Sequence, residues 1–421
     1  MKTLSGKTTR RGFVKYAAGA VVGAAAIGGG YYLLSGGAKP KEENIKLGLM
    51  MALSGPYSGN CGKMLDGAKL AVKEINDAGG ILGGKMIDGI IRDDDFNPGV
   101  AVRRATELVE TAKVEAVIGT LGTHIVHALN DYFKKVNKHY YGSCIPVVAT
   151  KMSDVRSPYT YFMLPSTAMI SKACGSFMAE QVKKWYVIFP DYSGGHEMNS
   201  YMTDMLTAGG AEILGNDAAP LGATDFSPFL TRAKAAKPEG LCIGGQLGTD
   251  LQNILKQAAG FGMQEEMMIF SMNNTLTDTM AIGLDLMAGV YSFLDFYWKL
   301  DFPGTKEYTE AYVKEYGEVP DTYSVGIYEA VHEWAAAVDR AGTTDSDAVK
   351  AEIDGHEYSR TKGPEYFRNC DGQVMQDAYF VKIKDPSDVN MEDFPDKFEV
   401  YDVIGKKGGE EIANSCSDLG Y

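Results

Sequence analysis

Cysteine and histidine are scarce and scattered in this 421-residue chain. The six cysteines, at positions 61, 144, 174, 242, 370 and 416, include no CxxC pair, and the six histidines stand at no metal-ligand spacing from them. A zinc framework is therefore not expected. No GxSxG or HExxH occurs, and Gly62-Lys63 lacks the glycine five residues upstream that a phosphate-binding loop needs, position 57 being tyrosine. These absences remove the common signatures of catalysis, and neither an enzyme nor a cofactor is expected. Basic excess is missing too. The chain has 41 basic and 55 acidic residues, a net charge of −14, and the first forty residues hold six of the basic ones and no acid, so the remainder carries about −20. Such a body is a poor partner for nucleic acid or anionic membrane and is suited to small ligands or proteins. One acidic run, Asp93-Asp94-Asp95-Phe96-Asn97, alternates as a calcium loop would. Pro98 fills the slot that needs glycine and Arg104 the slot that needs glutamate, so a capped loop end is the expectation and no metal is assigned.

What the chain does contain is a repeated unit. Ile45 to Leu53 is an apolar run short enough for a strand and continuous enough to be covered on both faces. The turn cluster Ser54-Gly55-Pro56-Tyr57-Ser58-Gly59-Asn60 breaks it. Met64, Ala68, Ala71, Val72 and Ile75 then recur at helical spacing. Strand, glycine-rich loop and helix bring free backbone N–H groups and a helix dipole to one point, which suits small polar or anionic groups.

The unit recurs. Strands are expected at 86–92, 114–119 and 146–149, with helices between them. This is the rhythm of a doubly wound parallel sheet, whose ligand site lies beyond the carboxyl ends of the strands. A second set starts at Ser166 and runs through strands near 185–189, 211–216, 240–244 and 267–270, with a helix opened by Thr224-Asp225 and Pro228. Two similar halves imply two similar lobes. An aromatic stretch from Tyr291 to Trp298 follows, then two long helices near 305–316 and 323–341, a strand at 377–383 and a polar tail after Asp385.

At the amino end, Thr9-Arg10-Arg11-Gly12-Phe13-Val14-Lys15 resembles a twin-arginine export signal, and Tyr16 to Leu34 is nineteen residues without a charge. The other reading of residues 1–40 is an N-terminal anchor helix. Either places the body outside the cytoplasm.

Leu53-Ser54-Gly55-Pro56-Tyr57-Ser58-Gly59, Asp191-Tyr192 with Gly194-Gly195, and Asp225-Phe226-Ser227-Pro228-Phe229-Leu230 through Lys237-Pro238 together resemble the type I periplasmic binding proteins of ABC importers, in the branched-chain amino acid and amide group. The resemblance covers about 45–383. It implies an α/β fold of two doubly wound, Rossmann-like lobes joined by three crossing strands, near 161–165, 291–298 and 370–376. Residues 45–162 and 296–368 would form one lobe, 163–295 and 369–404 the other, and 405–421 a C-terminal tail. By position, the implied ligand contacts are Tyr57, Ser58, Thr120, Thr123, Lys151 and Ser153 from the first lobe and Tyr192, Gln246 (or Leu247) and Asn273 from the second. Lys151 has a plainer reading as a solvated loop lysine, and the Tyr297-Trp298 pair as hinge packing. Where amino-acid binders of this group present an acid to the ligand's ammonium, Ser271-Met272-Asn273-Asn274 has none. That favours a carboxylate, an amide or another neutral-to-anionic solute over an ordinary amino acid.

The implied function is an extracytoplasmic receptor, monomeric, that hands a small polar molecule to an ABC permease with its ATPase subunits. The alternative is the ligand-binding part of a sensor. Cys370 and Cys416 either pair and tie down the tail or remain free thiols after folded export. The other four cysteines read as buried thiols.

Overall fold

Ile45 opens a run broken only by Lys46 and Gly48 before Ser54, and it becomes β1 (Ile45–Met51), a strand whose side chains are almost all buried. In this computed structural model residues 43–55, 57–142, 156–272, 274–390, 394–395 and 398–421 are described. Residues 1–40, the strand expected at 146–149, and the expected contacts Lys151, Ser153 and Asn273 lie outside them. Helix α1 (Ser58–Asp77) buries Met64, Ala68, Ala71 and Ile75, the stripe its period demands. The chain continues through β2 (Ile87–Asp93), α2 (Pro98–Thr106) with a π-helical extension Glu107–Ala112, β3 (Ala116–Gly119), α3 (Thr123–Val136), β4 (His139–Gly142) and β5 (Thr160–Phe162). These strands pair in parallel in the order β2-β1-β3-β4-β5. The acidic run after β2 is consumed by backbone contacts: Asp93 accepts from the amides of Leu53 and Asp95, and Asn97 caps α2.

The second lobe repeats the plan. It comprises α4 (Thr167–Gln181), β6 (Lys184–Pro190), α5 (Ser193–Ala208), β7 (Glu212–Ala219), α6 (Ser227–Ala236), β8 (Gly240–Ile243), α7 (Gly248–Gly260), α8 (Met263–Glu266), β9 (Met268–Ser271), α9 (Leu276–Ile282), α10 (Leu284–Met287) and β10 (Tyr291–Leu294). The order β7-β6-β8-β9-β10 is the same winding in parallel strands. At α6 the cap lies one residue beyond Thr224-Asp225: Phe226 is the N-cap, and the Asp225 carboxylate accepts from the Ser227 amide at 2.9 Å.

The chain then supplies α11 (Pro303–Tyr316), α12 (Thr322–Ala341) and α13 (Ser346–Ile353). Helix α12 lies along α1. The contact is close because position 67 is glycine; a Cβ there would meet the Ser324 carbonyl oxygen at 2.0 Å. A small antiparallel sheet, β11 (Glu357–Ser359), β12 (Pro364–Phe367) and β13 (Val374–Met375), precedes β14 (Ala378–Ile383), β15 (Tyr401–Lys407) and α14 (Gly409–Ile412). Strands β14 and β15 add antiparallel to the second sheet. The segment read as a polar tail is thus structured. Its strand pairs with β14, Cys416 is disulfide-bonded to Cys370, and Leu419 is buried in the core cluster that contains Phe133 and Phe162.

Three segments join the lobes, after β5, after β10 and before β14, and they are tied to one another. The Phe162 amide donates to Gly372 O at 3.0 Å, Gln373 Nε2 to Leu164 O at 2.8 Å, and Gln376 Nε2 to Met163 O at 2.7 Å. Beside them, the buried Lys362 ammonium donates to Gln376 and faces Glu365 at 3.1 Å, Glu329 at 3.3 Å and Asp295 at 3.8 Å. The molecule is a two-lobed, doubly wound α/β protein hinged on three crossings.

Candidate functional site

In a sheet of order 2-1-3-4-5 the connections leave the first and third strands in opposite directions, and a crevice opens beyond their carboxyl ends. Both lobes have this switch point, at β1/β3 and at β6/β8. The loops leaving those strands meet at a cavity between the lobes. Six long helices end there by their N-termini. Tyr57 caps α1, Thr123 opens α3, Thr167 opens α4, Tyr192 caps α5, Leu247 caps α7 and Thr322 opens α12, and each of these residues lines the cavity. Helix N-termini carry unpaired N–H groups and a partial positive charge, so the cavity is electrically prepared for an anion. Its remaining walls include apolar Phe96, Leu121, Ile170, Met198 and Phe293.

The lobes touch through a chain of rings. Tyr57 stands edge-on to Phe96 at 4.5 Å between centroids, Phe96 to His124 at 4.8 Å, and His124 to Tyr192 of the other lobe at 5.6 Å. Burial holds the His124 imidazole below its usual range and so neutral, and burial raises the Tyr57 phenol with help from nearby Asp250 and Tyr192, so Tyr57 keeps its proton. Gly194 completes the approach: a Cβ there would lie 2.8 Å from the Tyr192 ring and 3.0 Å from Thr123 Oγ1 across the cleft.

The expected contacts divide accordingly. Tyr57, Thr123 and Tyr192 line the cavity, and Leu247 does so in place of Gln246. Ser58 lies in the first turn of α1, half-buried and outside the lining. Thr120 turns inward: its φ of +71° is strained for a β-branched residue, its amide donates to Met50 O at 2.6 Å and its hydroxyl bonds to that of Tyr140. It is outside the lining. Gln246 is 1% exposed, and neither amide atom has a partner among the described residues. His196 pairs with Asp191 at 2.7 Å on the surface.

Sequence reasoning did not single out Phe96, Thr167, Asn274, Asp295 or Thr322, all of which line the cavity. A capping residue one place upstream, Ser166 and Asp321, marks Thr167 and Thr322 in hindsight. Asp295 carries no such signal, being one acid inside an aromatic stretch. Among the described residues of the lining, Asp295 is the only charged one. No group of side chains suited to a metal ion exists among the described residues, and no described helix is long and apolar enough to cross a membrane.

Fold, hinge and interlobe cavity together define a solute-capturing protein. A family model described as periplasmic binding protein matches residues 44–388, and the chain belongs to that family. Among curated relatives, the chain is 25% identical over 336 residues to the Leu/Ile/Val-binding protein homolog 7 of Brucella abortus, spanning 75% of this chain and 82% of the relative. It is 27% identical over 232 residues to the leucine-specific-binding protein of Salmonella typhimurium, spanning 54% and 60%. Among solved structures, a periplasmic binding protein from Burkholderia mallei superposes with a TM-score of 0.80 at 25% identity, covering 89% of this chain and 97% of that one. A solute-binding protein of an ABC transporter from Rhodopseudomonas palustris, in complex with 3,4-dihydroxybenzoic acid, gives 0.76 at 24% identity, covering 87% and 98%. The chain is an extracytoplasmic solute-binding receptor of an ABC transporter. It takes a small polar molecule into the interlobe cleft and delivers it to a membrane permease.

Proposed function

We propose that the solute is a small carboxylate-bearing molecule with an apolar body, of the amino acid, amide or aromatic acid kind, held between Tyr57 and Thr123 of one lobe and Tyr192 of the other. The observation that carries this reading is the convergence of six helix N-termini on a cavity with apolar walls and no basic side chain among its described residues. A carboxylate there is held by amides and hydroxyls instead of an ion pair. Lys151, Ser153 and Asn273 belong to the proposed contact set as well, as do Ser58 and Gln246, which are chain neighbours of the lining residues Tyr57 and Leu247.

Solute draws the lobes together because only the closed form contacts it from both sides. The closed form docks on the permease, and ATP hydrolysis by the partner ATPases reopens it. The protein acts as a monomer and without catalysis. Lobe one comprises 45–162 with 296–368, and lobe two 163–295 with 369–404. A twin-arginine signal within residues 1–40 exports the folded chain, and 16–34 either leaves with the signal or tethers the body. Solved relatives that bind benzoates and curated relatives named for leucine, isoleucine and valine support this solute range.

The test is a thermal-shift screen of small acids, amides and amino acids. A solute at a hundred times its dissociation constant stabilises the native state by about 2.7 kcal/mol, which appears as a clear rise in melting temperature. No shift with any of the three classes would overturn the reading.

A further inference from the structure

A second cavity, of about 490 Å³, lies outside the cleft where α1, α11, α12 and β11 meet, and that volume is in the range of small-ligand sites. It shares no lining residue with the interlobe cavity. Its charged lining groups are Glu74, Glu307, Glu333 and Arg360, so acids outnumber bases three to one. The one base is already engaged, because Arg360 Nε and Nη2 each lie 2.9 Å from Glu333 Oε1. Glu74 and Glu307 are left with no cation of their own among the described residues of the lining. Glu74 Oε2 accepts from the Tyr328 hydroxyl at 2.7 Å and stands 3.2 Å from His332 Nε2. Burial works against the Glu74 carboxylate, but these contacts outweigh it and hold the group below its usual range, while burial holds His332 below its own. The carboxylate is therefore charged and the imidazole beside it is not.

The other walls are aromatic. Tyr308 and Tyr328 lie 4.3 Å apart between ring centroids, and the Tyr358 hydroxyl is buried without a hydrogen-bond partner among the described residues. Ring faces carry negative charge density and attract organic cations. The walls are also held in place. A Cβ at Gly304 would meet the Arg360 carbonyl oxygen at 1.5 Å, the Thr305 hydroxyl donates to Thr361 O, and the Thr361 amide donates to Glu329 at 3.1 Å. No group of side chains suited to a metal ion exists among the described residues, so the chemistry calls for an organic cation. We propose that this cavity is a second ligand site, for a small organic dication of the diamine class, held by Glu74 and Glu307 against the tyrosine rings.

Isothermal titration of the whole exported protein tests it, comparing 1,4-diaminobutane with 1,4-butanediol, which has the same chain and no charge. Salt at about 0.15 M screens the general acidic field beyond about 8 Å. The diamine is expected to saturate a single site and to bind at least about tenfold more tightly than the diol. Glu74→Gln with Glu307→Gln removes that advantage, whereas Glu110→Gln with Glu265→Gln, two exposed acids outside the lining, leaves it unchanged. No saturable diamine binding, or equal binding of diamine and diol, overturns the site. So does an advantage that survives the first pair of substitutions or falls equally with the second. If the first double variant does not fold, Glu307→Gln alone, at an exposed position, decides by the same comparison. Each of these outcomes leaves solute capture in the cleft untouched.

Discussion

Gln246 is placed at a cost to stability. A buried primary amide with neither end bonded destabilises a fold by about 1–3 kcal/mol relative to an apolar isostere, and Gln246 is in that position among the described residues. Side chains of this kind persist where function needs them. Gln246→Leu is expected to leave the melting temperature unchanged or raise it while weakening solute binding. A lower melting temperature with unchanged affinity, by parallel scanning calorimetry and titration, would assign the amide to packing. The same scale shows what sequence could and could not disclose about the site. Tyr57, Thr123 and Tyr192 sit where turn chemistry ends and a helix begins, a local pattern that can be read along the chain. Asp295 depends on Lys362 and Thr322, which reach it only through the hinge, and no local spacing announces them. Thr120 shares the loop chemistry of Thr123, yet its left-handed backbone turns it toward Tyr140.

Helices and strands were legible to different degrees for a physical reason. Long amphipathic helices such as α1 and α12 impose a 3.6-residue stripe, and buried parallel strands such as β1 impose an unbroken apolar run. Strand β4, reading His-Tyr-Tyr-Gly, satisfies neither rule although it is fully buried, and its aromatic rings stack on Phe133 and Tyr161. Strands β11 to β13 are two to four residues long and exist by pairing with each other. The α1–α12 seam yields an element-scale prediction. Alanine is a better helix former than glycine by about 1 kcal/mol, but a Cβ at position 67 would press on the Ser324 backbone. Gly67→Ala is therefore expected to lower stability, by about 1–3 kcal/mol, in a denaturant titration. A stabilised variant would mean that the seam yields. The C-terminal element gives a second case. Cys416→Ser releases the segment following α14 from the third crossing and is expected to cost about 2–4 kcal/mol, matched in the wild type by adding reductant.

Closure of the whole molecule brings acids together. Asn60 of α1 donates to Asp278 of α9 across the lobes at 3.4 Å, and the Asp278 carboxyl is pushed up to about 6, chiefly by burial. Facing it are the Thr275 hydroxyl, the Gln252 amide and the Asp321 carboxylate that caps α12. An open cleft would let Asp278 return toward its ordinary 3.8. The closed form then binds the extra proton between those values, so closure gains as pH falls from about 6 toward 4 and the gain is absent above 6. Solute affinity is expected to increase on going from pH 7 to pH 5, and Asp278→Asn is expected to remove that component of the profile. An identical profile in wild type and variant would show that the pair does not feel the motion.

Two of the three connections between the lobes meet the Lys362 ammonium, through Asp295 and Gln376, and Gln376 ties in the first by donating to Met163 O; Asp295 extends the same charge set to the wall of the cleft. The pivot and the pocket therefore draw on one electrostatic reserve. A substitution at that wall is expected to alter how readily the molecule swings shut as well as what it holds.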